Sequence, residues 1–348
     1  MAINDTSQNN NPPPRLLLVS VPRTASNLLV KILNIQNQPN VLTNEFSGYF
    51  FYPAHRATAW GSLLKKPSAQ WSDTKKQEVQ AAFQECFNAM ELYSAQAQTK
   101  NKIMFAKEHA SWFTNPAAFD GTHDQNAEHP DNQDMYRLRT PDTYGTTQTF
   151  SGLNKTVLPD EYLRTWQLAF IIRHPALAWP SMYRAMAKAS TLRQMDDDGV
   201  EGASLASMTL RWTRMLFDWC LEQSDAPGAP MLLDAHDIIH NPQVLRRFCE
   251  QVGLDPALLQ FEWNETTEDK VNHEILQNVD RQTGSLFVTT LKGSSSVIKE
   301  KAPMTVDIAV EAEKWKAEFG EEIAALIEKA VWDSMPDYEN LRAQRMMA

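Results

Sequence analysis

Apolar residues along this chain come in two kinds of stretch, short runs of strand length and longer stripes at helical spacing. The run from Leu16 to Val21 has the length of a strand buried on both faces, and it stops at Pro22 in a short polar loop. Leu28, Leu29, Ile32 and Leu33 then recur at helical spacing, and Ser26 or Asn27 is available to cap that helix. A long amphipathic helix is expected over Ser72 to Lys100, with Val79, Ala82, Phe83, Cys86, Phe87 and Met90 on its apolar face. Ile103 to Ala106, Leu168 to Ile172 and Met231 to Leu233 read as further strands. Helices are expected to open at Pro175, to run from Leu205 to Gln223, and to end at Gly253 as a C-cap. The last helix is expected over Asp307 to Trp332.

A strand, a tight polar loop and a helix start within twenty residues can bind an anion, because backbone N–H groups and the helix dipole converge on one point. Arg23 adds a charge to that loop, and Thr24, Ser26 and Asn27 add side-chain donors. The pattern alone fits an ordinary buried strand turning into a helix equally well. Phe46, Tyr49, Phe50, Phe51 and Tyr52 crowd seven positions, as core or as the aromatic wall of a pocket. The strand from Ile103 delivers Lys107, Glu108 and His109 at its C-terminal end, where open α/β sheets hold ligands. Phe119 to Pro159 is polar and without period, and a lid over a bound acceptor is expected there, with about 120–159 as its extent. Within it, His123, Asp124, His129 and Asp131 have no metal-ligand spacing.

With 348 residues and 43% hydrophobic content the chain can bury a substantial core. Residues 1–14 read as a disordered polar tail, with neither a secretory signal nor a membrane anchor. Three scattered cysteines, Cys86, Cys220 and Cys249, suit a reducing compartment, and a soluble cytoplasmic protein is expected. The formal charge of −10 argues against nucleic acid and polyanionic acceptors, while leaving room for a local basic site for one anionic cofactor.

The nucleotide-triphosphatase fingerprint G-x-x-x-x-G-K-[ST] is absent, which removes the main support for a kinase or ATPase. The first loop instead resembles the phosphosulfate-binding loop of the sulfotransferase superfamily, P-[KR]-[ST]-G-[ST]-x-L. Pro22, Arg23, Thr24, Ser26 and Leu28 fit it, and Ala25 stands where the family usually has glycine. Lys107 and His109 resemble the family's K-x-H segment, whose histidine takes the acceptor proton, and Glu108 is a rival base because a glutamate has that role in some members. Arg173 ending a strand, with Ser181 eight residues on, matches the 3′-phosphate motif. Lys292 and Gly293 match the second half of an R-K-G element in a cofactor-covering loop expected at about 281–303, where Leu291 replaces the arginine. Lys301, Thr305 and Val306 resemble the start of a dimer motif whose glutamate position holds Val310.

The resemblance implies one α/β domain over 15–348, a parallel sheet flanked by helices in the P-loop-like sulfotransferase architecture. It implies sulfuryl transfer from 3′-phosphoadenosine 5′-phosphosulfate to a hydroxyl of a small-molecule acceptor, without a metal, adenosine 3′,5′-bisphosphate being the product. Arg23, Thr24, Ala25, Ser26 and Asn27 would hold the phosphosulfate, Arg173, Ser181, Lys292 and Gly293 the 3′-phosphate, and His109, Lys107 or Glu108 would join Arg23 in catalysis. A homodimer is a further implication. Three alternatives stay open: sulfation that drives elimination or ring closure, a fold that only binds the nucleotide, and a P-loop kinase or nucleotide hydrolase.

Overall fold

A computed structural model describes residues 14–60, 63–122, 132–191, 206–223, 228–263 and 294–348. Five parallel strands form one sheet in the order β2-β3-β1-β4-β5. They are β1 (Arg15–Ser20), β2 (Val41–Leu42), β3 (Ile103–His109), β4 (Gln167–Ile172) and β5 (Met231–Asp234). From β1 the chain crosses to the edge strand β2 and returns to β3 beside β1, then adds β4 and β5 outward on the other side. The reversal at the C-terminal end of β1 is a topological switch point, the place where sheets of this kind open a crevice.

Helices cover both faces of the sheet, so its strands are apolar on both sides. Leu17, Val19, Met104, Ala106, Phe170 and Ile172 pack on one face against α3 (Asp73–Thr99), α5 (Pro175–Thr191), α6 (Arg211–Glu222), α9 (Ile308–Phe319) and α10 (Glu321–Ala343). Leu16, Leu18, Ile103, Phe105, Ala169 and Ile171 pack on the other against α1 (Ser26–Ile32), α7 (Ala235–His240) and α8 (Pro242–Val252). Two four-residue helices, α2 (Tyr52–His55) and α4 (Asp160–Leu163), lie in the connections.

The long helix has the expected extent, with Ser72 as N-cap accepting from Lys75 N, and Gly253 ends α8 in the left-handed conformation. Three local expectations are corrected. Neither Ser26 nor Asn27 caps α1: Ala25 occupies the N-cap position without a side-chain cap, and Asn27 turns its oxygen to Lys107. The strand from Ile103 does not end at Ala106 but runs through His109, so all three polar residues lie within β3, paired to Leu18, Val19 and Ser20. The final helix is two helices, because Gly320 at φ 83° takes a backbone conformation outside the helical region and turns the chain between α9 and α10.

The polar stretch after Phe119 is also more packed than its composition suggests. Tyr136, Leu138, Val157 and Leu158 are buried in the core, and Leu138 N donates to Val157 O at 2.9 Å. Residues 123–131, with His123, Asp124, His129 and Asp131, lie outside the described residues, as do Leu291, Lys292 and Gly293. Among the described residues no helix is long and apolar enough to cross a membrane.

A turn at residues 44–49 seats the aromatic segment on β3. Asn44 Oδ1 accepts from Phe46 N and Gly48 N, Asn44 Nδ2 donates to Tyr49 O at 2.6 Å, and Lys107 N donates to Gly48 O at 2.9 Å. Gly48 has φ 97°, and a Cβ there would meet Lys107 N at 2.8 Å. Gly48→Ala is therefore expected to destabilise the fold by about 1 to 3 kcal/mol, the scale of one strained backbone residue, in urea unfolding followed by circular dichroism. An unchanged midpoint would show that the turn does not need its glycine.

Candidate active site

The loop from Val21 to Ala25 leaves β1 at the switch point and folds by a turn that two side chains and one strand hold in place. Thr24 is fully buried and closes on Val21 O with both its hydroxyl, at 2.7 Å, and its N–H, at 3.3 Å. Arg23 and Ala25 both take positive φ, 72° and 67°, a region where side-chain-bearing residues are strained. Ala25 thus stands at a backbone geometry that favours glycine, the residue found there in the resembled motif. Leu29 N donates to Ala25 O at 2.9 Å as the first helical bond of α1.

Cations gather on the β4 side of this loop. Arg173, just past the end of β4, donates from Nη1 to Arg23 O at 3.0 Å and from Nη2 to Lys301 O at 2.8 Å. Arg23 Nε donates to Ser181 Oγ at 2.9 Å, tying the loop to α5. Arg184, one turn beyond Ser181, is held by Glu318 of α9 through two bonds at 2.5 and 2.8 Å. Burial and then the neighbouring Arg23 bring the Arg173 guanidinium down to about 10. Burial and Arg184 lower Arg23, and Lys301 is lowered by burial and by Arg173, Arg23 and Arg184. Mutual repulsion of this kind is relieved by an anion, so the donor set fits a phosphate or sulfate group.

On the β3 side the three polar residues divide between the sheet faces by strand alternation. Lys107 and His109 share the α1 face. Lys107 has no solvent exposure, donates to Asn27 Oδ1 at 2.5 Å and lies 4.1 Å from the Tyr49 ring centroid. Burial brings its amine down to about 7. His109 meets Ser20 Oγ with Nδ1 at 2.8 Å and Tyr49 Oη with Nε2 at 2.9 Å. Burial first, then Lys107 and His55, hold its imidazole well below the usual range, which keeps the ring neutral.

Glu108 points to the opposite face. Its Oε1 accepts from Phe50 N at 2.5 Å and Phe51 N at 3.0 Å, and Oε2 has no hydrogen-bond partner among the described residues. Burial pushes its carboxyl up to about 8 against the pull of those two amides. Glu108 therefore anchors the aromatic segment from behind, away from the loop.

The aromatic segment divides into two groups. Phe50 and Phe51 are core, whereas Tyr49 and Tyr52 stand against Trp112 at ring separations of 4.7 and 5.3 Å. His55 stacks on the same indole at 5.1 Å, and His109 meets it edge-on at 4.4 Å. Arg23, Thr24, Ala25, Ser26, Asn27, Lys107, His109, Arg173 and Ser181 are thus brought to the C-terminal end of the inner strands, with Lys301 beside them. The sequence reading did not single out Ser20, Trp112 or Arg184, and it took Tyr49 only as one of a cluster. The spacing of Arg184, three residues after Ser181 on one helix, was the available signal.

Fold and site define an α/β protein whose loop after the central strand gathers cations next to a buried neutral histidine. Over 345 residues the chain is 34% identical to the sulfotransferase ppzF of Metarhizium rileyi, covering 97% of each chain. It is 34% identical over 353 residues to the sulfotransferase ppzF of Metarhizium majus, covering 98% of this chain and 99% of the relative. The chain belongs to the sulfotransferase family and is a sulfotransferase. No protein-family model matches it. Similar solved structures include the sulfotransferase domain from the curacin biosynthetic pathway, at 12% identity and TM-score 0.40, with 88% of this chain and 97% of that one covered. Another is the sulfotransferase domain from the Synechococcus PCC 7002 olefin synthase, at 13% identity and TM-score 0.34, with 90% and 97% covered.

Two outcomes follow from the strain and the burial. Ala25→Gly should raise stability by up to about 1 kcal/mol, the relief of a left-handed side chain less the added backbone entropy of glycine, and equal or lower stability in urea would count against strain at this loop. A carboxyl whose folded pKa is raised binds more protons folded than unfolded. Its contribution is complete below about 4.5 and is lost as pH rises through about 8. Glu108→Gln should therefore gain on the parent in unfolding free energy as pH climbs across that window, and parallel profiles would show that Glu108 ionises normally.

Proposed function

We propose that this sulfotransferase carries a sulfuryl group from 3′-phosphoadenosine 5′-phosphosulfate to a hydroxyl of a small-molecule acceptor. The observation that carries this reading is the convergence of Arg23, Arg173, Ser181 and Lys301 around the loop after β1, beside Lys107 and His109. The donor supplies an already activated sulfuryl group, and the protein's share is to hold, align and neutralise. Arg173 and Ser181 hold the 3′-phosphate, with the guanidinium forming a charge-assisted fork. Arg23 and the backbone of Thr24 to Asn27 hold the phosphosulfate, and Arg23 offsets the charge that grows on the leaving oxygen.

His109 is the base. It lies on the loop's face of the sheet, and its neutral imidazole has a lone pair for the acceptor proton. Glu108, on the other face and bound to two backbone amides, supports the pocket wall. Lys107 approaches the loop through Asn27 and steadies the start of α1 against β3. Tyr49, Tyr52 and Trp112 form an apolar, aromatic flank next to His109, which suits an organic acceptor better than a highly charged one.

The test is a pair of calorimetric titrations, adenosine 3′,5′-bisphosphate against adenosine 5′-monophosphate, on the parent and on Arg173→Ala. The parent should prefer the bisphosphate. Arg173→Ala should weaken it by about 2 to 4 kcal/mol, the scale of a truncated charge pair, and leave the monophosphate nearly unchanged. Because Arg173 also braces Arg23 O and Lys301 O, the melting temperature of the variant is read alongside. Equal affinity of the parent for both nucleotides, or tighter binding of ATP with magnesium, would overturn the reading.

A further inference from the structure

Both ring nitrogens of His109 are already engaged, and the identity of their partners fixes which one is basic. Ser20 has a single hydroxyl proton, and its Oγ donates to Glu108 O at 3.2 Å. With that proton assigned to Glu108 O, the lone pairs of Ser20 Oγ are left for Nδ1 at 2.8 Å. Nδ1 therefore carries the hydrogen, Nε2 carries the lone pair, and Tyr49 donates its phenolic proton to Nε2 at 2.9 Å.

Tyr49 is not positioned to swing aside. Its ring lies between the Lys107 ammonium, 4.1 Å from the ring centroid, and Trp112 at 4.7 Å. Its backbone carbonyl takes the Asn44 amide at 2.6 Å, and the preceding Gly48 carbonyl takes Lys107 N from β3 at 2.9 Å. His109 is only 6% exposed, and the buried Tyr49 phenol, which also meets the Ser26 side chain, occupies Nε2, the ring nitrogen left with a lone pair. An incoming hydroxyl cannot hand its proton to Nε2 directly while the tyrosine oxygen occupies it.

Resting on the sulfuryl-transfer reading above, we propose that Tyr49 is a catalytic proton relay between the acceptor hydroxyl and Nε2 of His109. As the bond from the acceptor oxygen to sulfur forms, the bond from sulfur to the nucleotide's phosphate oxygen breaks. The acceptor proton passes to Tyr49 Oη, and the phenolic proton passes to Nε2. The tyrosine ends neutral, the histidine ends as imidazolium, and the leaving group departs as the bisphosphate anion. The phenol itself is held neutral throughout by burial, which sets its own ionisation well above the usual range.

The experiment compares the full-length parent, Tyr49→Phe and His109→Ala. It uses 3′-phosphoadenosine 5′-phosphosulfate and a panel of simple phenols and benzylic alcohols as acceptor probes, with calorimetric binding of adenosine 3′,5′-bisphosphate measured alongside. Tyr49→Phe keeps the ring and its packing. It should lower kcat by about 100-fold or more, the scale of a general-base contribution, with bisphosphate affinity and melting temperature unchanged. In mixtures of light and heavy water the parent rate should bow downward, because two protons move, while the residual Tyr49→Phe rate should vary linearly. Undiminished kcat in Tyr49→Phe, or a linear parent profile, would overturn the relay and leave sulfuryl transfer standing. Failure of the parent to bind the bisphosphate would instead remove the sulfuryl-transfer reading itself. A readout without an acceptor is the ¹⁵N spectrum of His109. A protonated Nδ1 and a hydrogen-bonded, unprotonated Nε2 that shifts in Tyr49→Phe support the relay, and a proton on Nε2 overturns it.

Discussion

The candidate site hangs on one strained turn, the five residues from Val21 to Ala25 that carry the chain from the central strand into α1. Two of them, Arg23 and Ala25, bear side chains in the left-handed region, a geometry costing about 1 to 3 kcal/mol at each position. Such a turn persists only where the surroundings over-determine it. Here Thr24 closes on Val21 O, Ser181 takes Arg23 Nε, Arg173 takes Arg23 O, and α1 begins from Ala25 O. The strained conformation points the Arg23 side chain toward α5 and starts α1 where Asn27 can reach Lys107. A relaxed loop would lose both contacts.

Burial sets the protonation of the residues next to that turn. Lys107, Glu108 and His109 are consecutive, nearly solvent-free, and on alternating faces of β3, so they cannot pair as ions with one another on a common side. In a dry environment the charged form of each is the costly one. The amine is brought down to about 7, the carboxyl up to about 8, and the imidazole below its usual range. The carboxyl and the imidazole are neutral near pH 7 while the amine sits at its titration point, and a neutral imidazole is the state a proton acceptor requires. On an exposed strand end, water would leave the amine and the carboxyl charged.

Strands β1, β3, β4 and β5 were legible in the sequence because each is buried on both faces, which removes the polar alternation and leaves a bare apolar run bounded by polar residues. Arg173 and Ser181 stand out in the sequence through their resemblance to the family's 3′-phosphate motif, and the structure sets both against Arg23, one on its carbonyl and one on its side chain. The contact that Arg23 makes with Ser181 was not, since it joins segments 158 residues apart and depends on the loop's left-handed turns. Capping was misread for a related reason. Ser26 and Asn27 have the right chemistry, but the loop spends Ala25 on the cap position to satisfy its backbone turn, leaving Asn27 for Lys107. The break at Gly320 was hidden by continuous helical composition on both sides. Tyr49 was hidden by its neighbours, since an aromatic among aromatics gives no sign of which hydroxyl faces a histidine.

The two halves of the site are mechanically continuous. Arg173 and Ser181 grip Arg23 on the β4 side. Four residues on, Asn27 holds Lys107, whose ammonium lies on the Tyr49 ring and whose backbone N–H supports the turn that carries that tyrosine. Ser20, at the end of the same strand that opens the loop, sets the imidazole of His109. The cations and the pair of His109 and Tyr49 are thus joined by one run of contacts, from Arg23 through the start of α1 to Asn27, Lys107 and Tyr49.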